Sequence, residues 1–334
     1  MTTTTAPQSA GPTAPIFRSM DKTIGVHWEE TMIEMSRKMM VPLNARLIQQ
    51  MGLGHTTEPI AFLDSACGAG PATQELYKVV PREVLEKSEV VCADGSPMMV
   101  GLAERRIREE GWVGARAKNL DAMVSFENSI LYLLRCEVLP KSEIPLLICC
   151  AVGQDSGLAE NSLTHVVIGL GLHLIPRPDK TIQDVVRILK PGGVFGCITP
   201  HVDHIGWVAD VRSAFASFPF EAPFEEKNRA QVHDVGQWYD EDWVRNYLQD
   251  NGFKDVKTCL ESGTVRVRDA KHWLDVFGPV VALVVNTEWS EELRGEHGLE
   301  EVKGLIKEHL EGKYGDKGWD VGFACIVASG VVVK

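Results

Sequence analysis

The sequence predicts an α/β protein whose parallel sheet is covered by helices on both faces. Three observations carry this. Short apolar runs alternate with helical stretches from about residue 60 onward, the pattern of strand-helix-strand units. The first run, "AFLD", passes through a loop of small residues into a helix opening at Pro71. The next, "VVCAD", ends in an acid followed by Gly-Ser-Pro.

Strands are expected near Ile60 to Asp64, Glu89 to Ala93, Ala115 to Asn119, Thr164 to Gly169 and Val194 to Thr199. Helices fit Pro71 to Val80, Pro97 to Glu110 and Asp179 to Leu189. Pro71 and Pro97 suit a first helical position, where the missing N–H is no loss. Ahead of the first strand, residues 20–52 carry helical spacing interrupted at Pro42. Past residue 200 aromatics become frequent, and "VGQWYDEDWVRNYLQDNGF" reads as an amphipathic helix ending at Gly252 before a strand "FKDVKTCL". Trp238, Trp243 and Tyr247 have helical spacing and read either as core or as the wall of an aromatic-binding pocket. Helical stretches over 270–285 and 290–312 precede a last strand, "VGFACIVASGVVV".

The 334 residues, 44% hydrophobic and 24% charged, suit one elaborated globular domain. A formal charge of −12 with no basic run argues against a nucleic-acid partner. No apolar run reaches the roughly 20 residues of a membrane span. None of the eight cysteines forms a zinc-type CxxC pair, so no metal site is expected. They read as reduced thiols of a cytoplasmic protein. Residues 1–16, rich in Thr, Ala and Pro, are expected to be a disordered tail ahead of a single domain spanning 17–334.

"AFLDSACGAGPATQEL" is the most informative stretch. Gly68 and Gly70 allow a ligand close to the backbone. Asp94, ending the next strand, stands where a carboxylate accepts from ribose hydroxyls. A dinucleotide and S-adenosylmethionine (SAM) compete as ligands. A pyrophosphate wants helix N-terminal N–H groups and positive potential, whereas Pro71 removes one donor, Asp64 adds a negative charge, and Thr73 replaces the third glycine of the dinucleotide pattern. SAM has no phosphate and carries cationic ammonium and sulfonium groups, which favours SAM. The alternative for both acids is a helix cap or turn.

Together, "LDSACGAGPAT", "VVCADGSPMM", "DAM", "LTHVVIGLGLHLIPRPDKTIQDVVRILKPGGVFGCIT" and "LQDNGFKDVK" resemble the class I SAM-dependent methyltransferases. The closest resemblance is to small-molecule methyltransferases of fungal secondary metabolism, including the gliotoxin bis-thiomethyltransferase type. It implies a Rossmann-like sheet of about seven strands, the last antiparallel, with N-terminal helices and a lid over the acceptor at 201–250. By the same resemblance the cofactor loop falls on Asp64, Ala66, Gly68 and Gly70, with Ala66 tolerable in place of glycine if its φ stays negative. Asp94 takes the ribose, with Gly95, Ser96 and Met98 beside the adenosine; Asp121 and Ala122 hold adenine, and Gly169 and Leu170 wall the methionine part.

Residues 124–154 interrupt that pattern between Met123 and Asp155. The segment begins Val-Ser and ends in Gln, which a common fungal intron start and end would encode, so it reads as a translated intron. A genuine helical flap over the adenine site is the alternative, although unstructured loops beyond roughly 12 to 15 residues are uncommon.

Methyl transfer from a sulfonium needs alignment above all, and a base only when the acceptor binds protonated. His173, after the fourth strand, and His201 and His204, after the fifth, are the candidate bases. Each also reads as an ordinary loop histidine. The expected function is methyl transfer from SAM to sulfur, oxygen or nitrogen of a small, apolar or aromatic secondary metabolite. The rival is a methyltransferase-like protein that binds SAM without transferring the methyl, as a pericyclase or a regulatory pseudoenzyme.

Overall fold

The computed structural model describes residues 33–34, 36–120, 156–175, 177–224, 230–231 and 233–334, without the side chains of 203, 204, 279, 283 and 287. The expected tail, Asp121, Ala122 and the 124–154 segment lie outside the described residues.

Seven strands form one sheet in the order β3-β2-β1-β4-β5-β7-β6. β1 (Ala61–Ser65), β2 (Glu89–Asp94), β3 (Ala115–Asn119), β4 (Leu163–Gly169) and β5 (Leu189–Ile205) run parallel. The last strand, β7 (Trp319–Val332), inserts antiparallel between β5 and β6 (Phe253–Val267). The chain winds outward from β1 to β3, then returns to the other side of β1 as β4. The strand order therefore reverses between β1 and β4, and a crevice opens at the carboxyl ends of that pair, the place where open α/β sheets bind ligands.

Period-two burial within the strands divides the core between the two faces. On one face Phe62, Val167 and Ile198 pack under α1 (Val41–Gln50) and α2 (Pro71–Val79). On the other, Leu63, Ile168, Phe195 and Cys197 pack under α4 (Pro178–Ile188) and α6 (Glu241–Asp250). Between β2 and β3 the chain forms α3 (Pro97–Glu110), capped by Ser96, whose Oγ accepts the Met99 N–H at 3.4 Å. α1 lies directly on β5: a Cβ on Gly196 would stand 2.6 Å from Met51 Sδ and 2.8 Å from Leu47 Cδ1. Only glycine permits this approach, which buries Leu47 and Ile48 completely, worth about 1.5–3 kcal/mol each. A third core joins α5 (Gly206–Phe215), α7 (Ala270–Glu288) and α8 (Leu299–Tyr314) to the outer ends of β6 and β7 through Trp273, Trp289 and Trp319.

Pro71 and Pro97 open their helices as expected. The helical stretch is interrupted at Pro42 as expected: the π-helical turn Ser36–Met40 gives way to α1 at Val41, and Pro42 sits in the first turn of α1, where its missing N–H is no loss. One expectation is corrected: the end of the supposed lid is not a lid. Trp238 is fully buried, edge-on to Trp243 and Tyr247 with ring centroids 5.2 Å from each, and α6 covers the sheet through Val244 and Leu248. Trp238 is core, and Trp243 and Tyr247 pack half-buried against it, because the amphipathic helix that carries those two closes that face.

Candidate cofactor and acceptor site

The loop after β1 is held from three directions. Cys67 N–H donates to Ala93 O at 2.9 Å and Gly70 N–H to Cys67 O at 2.7 Å, forming a tight turn. Gly68 N–H donates to Asp94 Oδ2 at 2.9 Å, and the other carboxylate oxygen accepts the Ser96 N–H at 2.9 Å. From behind, the buried guanidinium of Arg106 donates to Ala69 O and to Gln74 Oε1, and lies 4.9 Å above the Trp112 ring. That ring in turn fills the space a Cβ on Gly70 would need, with contacts of 3.2 Å.

Gly68 and Gly70 have φ of +51° and +74°, which explains both glycines. Ala66 is a correction: its φ is +56°, not negative. The chain must leave β1 in a left-handed turn to aim the loop at Asp94, and alanine takes the steric cost. Leu170, at the tip of the neighbouring β4, has φ +53°. Two left-handed non-glycine residues on adjacent strand tips border the crevice, a concentration of strain typical of functional sites.

Asp64 is tied to the helix that follows the loop. Its Oδ2 accepts both the Thr73 N–H at 3.0 Å and the Thr73 hydroxyl at 2.8 Å, so it caps α2 from inside the core. Burial pushes its carboxyl up to about 7, against the lowering effect of those two bonds. Asp94 is 1% exposed, and burial raises it to about 6, opposed by the N–H groups of Ser96, Gly68 and Gly95. Gly95, Ser96 and Met98 follow it at the start of α3, and Asn119 Nδ2 donates to Asp94 O at 3.1 Å and Gly95 O at 3.2 Å.

Gly169 ends β4 on the other side of the crevice, and Leu170 follows it. His173 lies just beyond them: its Nδ1 is buried with no hydrogen-bond partner among the described residues, and burial, then His233, push its ring down to about 3. His233 is fixed in one neutral tautomer, Nε2–H donating to Leu172 O at 2.8 Å and Nδ1 accepting the Val235 N–H at 3.2 Å. His201 is half-buried in β5, and the side chain of His204 lies outside the described residues. Sequence reading missed Arg106, Thr73, Trp112 and Asn119. Arg106 looks like one more charge in "AERRIREEGW", and nothing in its spacing shows that it turns inward.

The residues fit SAM. An added Cβ on Gly68 would meet nothing within 4 Å, so the loop faces open space. A carboxylate borders that space, while Arg106 is committed behind the loop. The Thr73 N–H, a donor in the first turn of α2, is already bonded to Asp64. An acid on the open side, with the guanidinium and the Thr73 N–H engaged elsewhere, suits a cationic ligand and not a pyrophosphate.

Residues 63–197 match the family model described as methyltransferase domain. With the topology and the β1/β4 crevice, this match supports a SAM-dependent methyltransferase enzyme acting on a small molecule. It is 22% identical to acetylaranotin bis-thiomethyltransferase of Aspergillus terreus, over 82% of this chain and 83% of that protein. It is 23% identical to methyltransferase tpcH of Aspergillus fumigatus, over 81% of this chain and 84% of that one. Among solved structures, a SAM-dependent methyltransferase from Aquifex aeolicus superposes with a TM-score of 0.42 at 14% identity, covering 87% of this chain and 89% of the other.

Proposed function

We propose that the acceptor is a small, apolar or aromatic metabolite of fungal secondary metabolism, methylated on a heteroatom, with sulfur first among sulfur, oxygen and nitrogen. The observation that carries the choice of atom is His173. It is the candidate base nearest the tip of β4, and its desolvated ring stays neutral far below physiological pH. Such a ring can accept a hydrogen bond from a bound nucleophile but takes a proton reluctantly. A phenol near 10 would need a stronger base; a thiol near 8.5 is partly ionised unaided. The A. terreus relative is by its name a thiomethyltransferase, which supports the same order.

SAM supplies an activated methyl group. On the proposed assignment, Asp94 accepts the ribose hydroxyls, Gly68 and Gly70 let the loop approach, and Gly169 and Leu170 bound the methionine end. The strand tips keep water from the line of displacement, so orientation supplies most of the rate. His173 orients the acceptor through Nδ1, and His201, near the end of β5, is a second residue at the same sheet edge. The five described cysteines are all free, which supports a cytoplasmic location; among the described residues no helix is long and apolar enough to cross a membrane. Incubation with SAM labelled in its methyl group, and with matched thiol, phenol and amine acceptors, tests the reading. Label should appear in product, fastest with the thiol. SAM binding with no label in any product would establish the rival, a SAM-binding protein without transfer.

A further inference from the structure

We propose that Asn44 holds the amino-acid end of SAM, its side-chain oxygen accepting a hydrogen bond from the α-ammonium group. Asn44 lies in the first half of α1 with none of its surface exposed. Its Nδ2 donates to Met40 O at 2.8 Å. That bond fixes which way the amide points, because the reverse orientation would set oxygen against oxygen. Oδ1 is left as a buried acceptor with no partner among the described residues, an unfavourable state unless a donor arrives.

The position of this acceptor indicates the donor. A Cβ on Gly169 would stand 3.6 Å from Asn44 Oδ1 and 3.8 Å from Met40 Cε, so the amide and the thioether together cover the tip of β4. Asp94 ends β2, and β1 lies between β2 and β4. Adjacent strands are about 4.8 Å apart, so β4 is about 10 Å across the crevice from the ribose acceptor, the span from ribose to amino group in an extended SAM. The same N-terminal segment reaches the adenosine side too: Ile33 packs against Ala69, Met99 and Leu102. The Met40 side chain is flexible enough to move aside for the ligand. Glycine at 169 leaves room for this meeting, and an uncharged acceptor suits an ammonium that arrives with its own carboxylate.

This rests on SAM occupying the crevice, and the test separates the two. Calorimetry would compare S-adenosylhomocysteine with 5′-methylthioadenosine, which keeps the adenosine but has no amino acid, on the full chain and on Asn44→Ala and Asn44→Asp. Asn44→Ala should bind S-adenosylhomocysteine about 10- to 100-fold more weakly and methylthioadenosine unchanged. Asn44→Asp keeps an acceptor but gives up the bond to Met40 O, and should retain S-adenosylhomocysteine binding better than Asn44→Ala does. Equal losses for both ligands in Asn44→Ala would reduce Asn44 to packing, and no loss for either would remove it from the site; both overturn the proposal. Should Asn44→Ala fail to fold, the near-isosteric Asn44→Leu, which also lacks the acceptor, takes its place, and equal losses for both ligands or no loss for either overturns the proposal. A wild-type chain that binds neither ligand would instead refute SAM in the crevice, and the proposal with it.

Discussion

Asp94 Oδ2 accepts the backbone N–H of Gly68 at 2.9 Å, so the acid that ends β2 and the glycine that shapes the β1 loop form one hydrogen-bonded unit. Asp94 therefore braces the loop it shares with the ligand. Asp94→Ala should remove the ribose acceptors, at about 1.5–3 kcal/mol for each bond to a charged group, and also lower the melting temperature because the N–H groups of Gly68 and Ser96 lose their acceptors. Calorimetry with SAM beside a thermal melt reads both effects. A lowered melt with unchanged SAM affinity would leave Asp94 with the brace alone.

The protonation state of Asp94 makes cofactor affinity depend on pH. Burial holds its carboxyl at about 6, so below that value the free site is protonated. Ribose hydroxyls need the carboxylate as acceptor, so binding must first expel the proton. That costs about 1.4 kcal/mol per pH unit below the folded value. SAM affinity should therefore be flat above about pH 7 and fall towards tenfold per unit below 6, with proton release seen by titrating in two buffers of different ionisation enthalpy. Affinity that stays level from pH 5 to 7.5 would contradict the assignment.

Ala66 at φ +56° gives a stability prediction of opposite sign to most substitutions. A left-handed L-residue costs roughly 1–2 kcal/mol, while glycine there costs only some unfolded-state entropy. Ala66→Gly should stabilise the chain by about 1 kcal/mol, roughly 2–4 °C in a chain of this size. Destabilisation would mean the methyl contributes more through packing than the backbone loses.

What the sequence showed, and what it did not, divides along physical lines. Alternating apolar runs and prolines at first helical positions are local signals, and they located β1 to β4, α2, α3 and the crevice. The carboxyl ends of β1 and β2 were also legible as a loop of glycines and a spaced acid. Which way a buried carboxylate turns is decided in three dimensions. Asp64 reads as an acid beside the ligand but caps α2 through Thr73. Arg106 reads as surface charge but holds Ala69 O from behind. The Trp238 cluster was open between core and pocket because aromatic spacing is the same for both, and only burial under α6 decides it.

Arg106 should not tolerate lysine. Its planar guanidinium reaches Ala69 O, Gln74 and Glu110 while stacking on Trp112, a set of directions an ammonium cannot reproduce. Arg106→Lys should loosen the glycine loop, lowering SAM affinity about tenfold or more through the slackened turn, with the melt reduced by an amount typical of an unmet buried carbonyl, about 1–3 kcal/mol. Full SAM affinity in Arg106→Lys would show that Cys67, Gly70 and Asp94 hold the loop unaided.

His173 links acid sensitivity to the acceptor site. Burial lowers its ring from about 6.5 to about 3 in the folded chain, so on acidification the unfolded chain takes up a proton the folded chain refuses. The stability is fully present above about pH 6.5 and is lost as pH falls towards 3, at up to about 1.4 kcal/mol per unit; His165, lowered to about 4 by burial, adds to the upper part of that window. His173→Gln removes the titrating ring but keeps a hydrogen-bonding group. It should therefore flatten the fall in urea-unfolding stability between pH 6.5 and 4 by close to one proton's worth, with the pH 8 stability little changed. In turnover, the same variant should cost less than about tenfold with a thiol acceptor, because the ring only orients a nucleophile that ionises unaided; a loss of about 10²-fold or more would make the ring a general base and contradict the reading. An unaltered acid slope would mean that the ring titrates in the folded chain as it does in the unfolded one, which would remove the desolvation from which the choice of sulfur is argued.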